Sequence, residues 1–155
     1  MKKNTVLYIV LTVLAVLSLT SIAAAPVKEG PLTFTAHLTG AAEAPGPGDA
    51  DGSGHATIRI NYGQGRLCWW IRVSDITLPA TGAHIHGAPA GVPGPVVVGL
   101  SAPSSKGASS GCSTVDKDLL KAIIENPENY YVNVHNSDYP GGAVRGQLEL
   151  AAPTE

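Results

Sequence analysis

Beyond residue 30, apolar and polar positions mostly alternate with a period of two, in short runs bounded by turn residues, which predicts strands. In "LTFTAHL" (32–38), Leu32, Phe34, Ala36 and Leu38 share one face, and Thr33, Thr35 and His37 share the other. "HATIRINY" repeats the pattern with Ala56, Ile58, Ile60 and Tyr62, and "GQG" joins it to "RLCWWIRVSDI", so 54–75 reads as a hairpin. "AHIHG", "PVVVGL", "NYYVNVH" and "AVRGQLEL" supply four more strands. One segment breaks the period. In "CSTVDKDLLKAIIENP", Leu119, Leu120, Ile123 and Ile124 recur at helical spacing, Ser113 with Asp116 forms a capping signal, and Pro127 stops the run. This predicts a short crossover helix within 114–126. "GAAEAPGPGDADGSG" (40–54) and "SAPSSKGASSG" (101–111) read as long, mobile surface loops. Seven to eight antiparallel strands around one core, with a single helix, define an all-β fold: a Greek-key β-sandwich or flattened barrel.

The first 25 residues have a different character. Lys2 and Lys3 precede an uncharged apolar run that ends in small residues at Ala23–Ala25, the pattern of a secretory signal peptide. An uncleaved membrane anchor is the alternative, although Thr12, Ser18, Thr20 and Ser21 interrupt the run. Residues 26–155 then form one extracytoplasmic domain, secreted or held at the cell surface, with its core at 32–150. Loss of Lys2 and Lys3 leaves eight basic side chains against twelve acidic ones, a net charge near −4. The linear sequence contains no basic run to engage a phosphate backbone and no basic amphipathic helix for a membrane surface, so neither nucleic acid nor membrane is an expected partner. The only two cysteines, Cys68 and Cys112, read as one disulfide in an oxidising compartment, with two buried free thiols as the alternative.

Strand alternation also sorts the candidate chemistry. Ala83 and Ile85 claim the core face of "AHIHG", so His84 and His86 project from the other. In "YYVNVH", Tyr130, Val132 and Val134 point inward, leaving Tyr131, Asn133 and His135 outward. In "AVRGQLEL", Val144, Gly146, Leu148 and Leu150 are inward, and Arg145, Gln147 and Glu149 outward. Side chains at i and i+2 of a strand emerge about 6.5–7 Å apart on one face, so an H-x-H can clamp an ion with bonds of roughly 2 Å. His135 would complete a three-histidine surface site. An all-nitrogen set favours copper, with zinc as the alternative. The competing role is structural: imidazoles can act as hydrogen-bond struts tying the Gly-rich loop at 87–95 to a neighbouring strand, in a metal-free module for extracellular protein contacts or adhesion. Arg145 has a similar structural role open to it, as a partner for Glu43, Asp138 or Glu149. No nucleophile elbow or phosphate loop is present, and the Asp49/Asp51 and Asp116/Asp118 pairs lack the flanking ligands of a calcium loop. Of the adjacent Trp69 and Trp70, one is expected in the core and one on the surface.

"FTAHLTGAAEAPG", "GAHIHGAPAGVPGPVVV" and "YYVNVHNSDYPGGAVRGQL", in that order and spacing, resemble the CHRD domain, a secreted β-rich module first named from chordin. The resemblance implies that Glu43, His84, His86, His135 and Arg145 match family positions, and that Cys68 and Cys112 correspond to the cysteine pair of some secreted members. His37 and His55 match nothing in it. The activity of such domains is largely unassigned, so no enzyme function follows. The order H-x-H, His, Arg is also similar to that of copper–zinc superoxide dismutase, another Greek-key sandwich. That resemblance implies His84, His86 and His135 as ligands, with Arg145 attracting an anion or holding Glu43 behind them. The bridging histidine and zinc ligands of that enzyme are missing here, so a dinuclear dismutase centre is not expected.

Overall fold

The computed structural model describes residues 30–152, so the predicted leader lies outside the described residues. Nine strands follow in order: β1 (Leu32–Thr39), β2 (Ser53–Asn61), β3 (Arg66–Ser74), β4 (Gly82–Gly87), β5 (Val96–Leu100), β6 (Ala108–Thr114), β7 (Tyr130–His135), β8 (Val144–Gln147) and β9 (Glu149–Leu150). Among the described residues one α-helix, α1 (Lys117–Glu125), lies between β6 and β7. The strands form a single antiparallel sheet in the order β5-β4-β7-β8-β1-β2-β3-β6, with β9 beside β1. β3 and β6 pair although β4 and β5, on the opposite edge of the sheet, intervene in sequence. The long sheet folds over itself and nearly closes, as the all-β Greek-key expectation requires.

The apolar stripe of each strand explains this closure. Phe34 and Leu38 of β1, Ile58 and Ile60 of β2, and Leu67 and Ile71 of β3 are fully or almost fully buried. They share one core with Ile85 of β4, Val132 and Val134 of β7, and Leu120 and Ile123 of α1. Each such side chain contributes about 1.5–3 kcal/mol on burial, and an open sheet would leave the stripe wet. Trp69 joins the core while Trp70 stands 49 % exposed, as alternation requires.

Three local expectations are corrected. The Ser-rich segment at 101–111 is not wholly a loop, because Ala108–Thr114 forms edge strand β6 in register with β3. Within that pairing Cys68 lies directly opposite Cys112, and the two form a disulfide. Gly111 permits the register, since a Cβ there would collide with the Trp69 ring. Helix α1 starts later than expected and is capped by Asp116, whose carboxylate accepts from the backbone N–H groups of Asp118 and Leu119; Ser113 belongs to β6. Finally, "AVRGQLEL" breaks at Leu148 into β8 and β9, and Leu150 is 59 % exposed rather than inward.

Candidate metal centre

The second face of β4, β7 and β8 carries the polar residues that alternation assigned to it. Cross-strand register places His84 beside Asn133 and Asn133 beside Arg145 in one row, and His86 beside Tyr131 and Tyr131 beside Gln147 in the next. His135 sits opposite Gly82, which has no side chain to fill the space beside the histidine rings. This face is not the open surface expected of it. Tyr131, Asn133 and Arg145 are at most 3 % exposed and His86 is 9 % exposed. The cover comes from the loop at 87–95 on one side, and from the 43–49 and 136–143 segments on the other.

Arg145 binds the first of these covers. Its guanidinium donates to the carbonyls of Val92 (3.0 Å) and Pro89 (2.9 Å) and to Gln147 Oε1 (3.1 Å). It also lies 3.4 Å from the centre of the Tyr131 ring, which itself stacks against His86 at 4.9 Å and an interplanar angle of 12°. None of Glu43, Asp138 and Glu149, the carboxylates weighed as its partners, is bonded to it. Gln147 Nε2 adds donations to Ala88 O (3.1 Å) and Glu128 O (2.7 Å). Gly94 closes the loop by donating its N–H to the Tyr131 hydroxyl at 3.1 Å.

The three histidines converge. Their rings lie 5.1–6.0 Å apart, and one nitrogen from each falls within 4.8 Å of the others. His84 Nδ1 and His135 Nε2 are already 3.2 Å apart. Four ligands held tetrahedrally by bonds of roughly 2.0–2.1 Å are about 3.3 Å from one another, so modest ring rotations bring the set to a common ion. Two of the tautomers are fixed by backbone carbonyls: His86 Nδ1–H donates to Gly94 O at 2.9 Å and His135 Nδ1–H to Pro140 O at 3.1 Å. In the neutral rings each Nε2 therefore carries the lone pair. A carbonyl on the distal nitrogen is a common support for a ligating imidazole. That of His135 meets the His84 N–H, whereas His86 Nε2 is buried with no hydrogen-bond partner.

Burial, reinforced by the neighbouring imidazoles, holds the pKa values of His84 and His135 below the ordinary 6.5. Neutral imidazole is the form that ligates a metal. Glu43 approaches the same face and receives a 3.4 Å hydrogen bond from Asn133 Nδ2. Burial raises its pKa to about 7, against the opposing charge of Arg145. Sequence reasoning passed over Tyr131, Asn133 and Gln147 as chemistry, although their places on the His/Arg face were legible from alternation. His37 and His55 are register partners across β1 and β2, elsewhere on the outer side of the sheet, and take no part in this cluster.

Fold and site together define a curled antiparallel β-domain with a histidine triad under a proline-rich loop. The chain belongs to the CHRD family: the model described as the CHRD domain matches residues 34–148. Comparison with curated proteins finds no match.

Proposed function

We propose that this protein is an exported CHRD domain that binds one transition-metal ion through His84, His86 and His135, with copper favoured and zinc as the alternative. The observation that carries the reading is the convergence of three imidazoles, one nitrogen of each lying within 4.8 Å of the others, in a cluster where His86 Nε2 is buried with no hydrogen-bond partner. A buried acceptor left without a partner costs about 1–3 kcal/mol, a cost an ion would remove. Three nitrogen ligands suit copper first in the Irving–Williams order. They leave at least one position for water or an external ligand, and a bound ion would supply Lewis acidity and, for copper, one-electron chemistry. Glu43 lies behind this face as a group able to hold a proton near neutral pH, and Arg145 positions the loop that fixes His86. Export rests on the leader pattern and the disulfide.

The test is titration of purified, chelator-treated protein with Cu(II), read by metal analysis and electron paramagnetic resonance. One copper per chain with nitrogen coordination is expected, and His84→Ala or His135→Ala should weaken binding by at least tenfold. No stoichiometric nitrogen-coordinated copper, or binding indifferent to His84→Ala, overturns the proposal. A second reading takes the histidines as struts in a metal-free module for extracellular protein contacts, and the bonds His84–His135, His86–Gly94 and His135–Pro140 favour it. Under that reading chelator leaves the thermal melt unchanged, while His135→Ala loses the fold.

A further inference from the structure

The half of the sheet formed by β1, β2, β3 and β6 has an outer face of different composition. Along β3 the outward residues are Arg66, Cys68, Trp70 and Arg72, successive ones about 6.5–7 Å apart. Register sets Arg59 opposite Cys68, Thr57 opposite Trp70 and His55 opposite Arg72; on the other flank Ser110 lies opposite Trp70. Trp70 thus sits between the hydroxyl residues Thr57 and Ser110, with Arg72 next on its strand and Arg66 beyond Cys68. Next to it is a groove of about 250 Å³ lined by Arg59, Asn61, Gln64, Arg66 and Trp70. A second recess, between β2 and β3, adds Arg72 and Lys106.

Acidic side chains lie mostly away from this face, although Glu149 of β9 shares it, in the same cross-strand row as Thr35, Thr57 and Trp70. Arg59, Arg66, Arg72 and Lys106 form no salt bridge among the described residues, where the one ion pair is Lys121–Glu125. The acidic side chains Asp49, Asp51, Asp75 and Asp138 line a separate recess. A chain of net negative charge has thus collected unpaired cations around its one exposed tryptophan. Linear sequence hides this patch, because the arginines come from two strands and alternate with core residues.

From this juxtaposition we infer that the β1-β2-β3-β6 face binds an acidic polysaccharide, with one sugar ring stacked on Trp70 and its carboxylate or sulfate groups held by Arg59, Arg66 and Arg72. A guanidinium fork matches a carboxylate or sulfate with two parallel N–H bonds. The flat indole offers an apolar platform, and Thr57, Ser110 and Asn61 can exchange hydrogen bonds with sugar hydroxyls. A single-stranded nucleic acid would instead favour several aromatics in series to stack successive bases. This site is separate from the histidine cluster and stands or falls independently of it.

The test is affinity electrophoresis of the disulfide-intact protein through gels containing alginate, heparin or neutral dextran, at low and high salt, with oligo(dT) as competitor. Alginate or heparin should retard the protein and dextran should not. Trp70→Ala should weaken retention roughly fivefold or more, because the sugar ring loses its apolar platform. Arg59→Gln with Arg72→Gln should weaken it further and flatten its salt dependence. Lys121→Gln, on α1, should leave retention unchanged, and circular dichroism checks that each variant folds. Four results overturn the inference: no retardation by either acidic glycan, retention indifferent to Trp70→Ala, oligo(dT) bound more tightly than the glycans, or a Trp70-dependent dimer occupying the face.

Discussion

Replacing Arg145 by Ala tests whether this residue builds the site from beneath. The side chain is 1 % exposed and donates two charge-assisted hydrogen bonds to loop carbonyls, at 3.0 Å to Val92 and 2.9 Å to Pro89. Hydrogen bonds to charged groups contribute about 1.5–3 kcal/mol each, and the stacking on Tyr131 adds about 2 kcal/mol when desolvated. Removing the fork also strands both carbonyls under cover, while part of the guanidinium's desolvation cost is recovered. The balance is a loss of about 3–5 kcal/mol, among the large single-residue effects that follow when a buried hydrogen-bond network is broken. Urea unfolding with an unchanged m-value should report it. Amide exchange should show residues 88–94 opening before the core, because the loop loses its strongest tether, and copper affinity should fall as His86 loses a fixed Gly94 carbonyl. Arg145→Lys retains the charge without the fork and should fall between wild type and Ala. A loss below about 1 kcal/mol with unchanged exchange in the loop would refute this account of Arg145.

Three further outcomes follow from the structure. Glu43, with its pKa raised from 4.5 to about 7, binds its proton more tightly folded than unfolded, so its contribution to stability is complete below pH 4.5 and is lost as pH rises through about 7. The melting temperature of Glu43→Gln minus that of wild type should therefore increase across that window, and a flat difference would contradict the assignment. His84 and His135, with depressed pKa values, act in the opposite sense: stability is complete above 6.5 and falls as pH drops, so His84→Gln in chelated protein should reduce acid sensitivity below pH 6.5 in thermal melts. Cys68→Ser with Cys112→Ser opens a crosslink spanning 44 residues and should cost about 2–4 kcal/mol in urea unfolding, with amide exchange rising first in β6.

The face assignments were legible from the period-two pattern because each strand in question has one apolar stripe. Ala83 and Ile85 fixed the direction of His84 and His86, and Val132 and Val134 fixed that of His135, so the register had only to bring β4 beside β7. Three features were hidden, each for a physical reason. Strand β6 lacks an apolar stripe: "ASSGCST" is an edge held by its backbone ladder and the disulfide, and its composition reads as loop. Burial of the His/Arg face depends on which loops fold back over it, and alternation reports only that a side chain points away from the core. The arginine patch arises from cross-strand register between β2 and β3, invisible to any count along the chain.

Loop 87–95 links these features, and its composition explains its partners. Pro89, Pro93 and Pro95 remove three N–H groups, so the segment offers many carbonyls and few donors. A surface of acceptors must be met by donors, and the face beneath supplies them from Arg145, from the Gln147 amide and from His86 Nδ1–H. The last of these has a chemical consequence. Because the loop takes the proton on Nδ1, the neutral His86 ring keeps its lone pair on Nε2, and Pro140 imposes the same tautomer on His135. A loop made only to be strapped down could have used any donor. Under the proposed function, an imidazole in that position would make the strap a ligand as well, since the bond that anchors the loop also sets the lone pair that an ion would take.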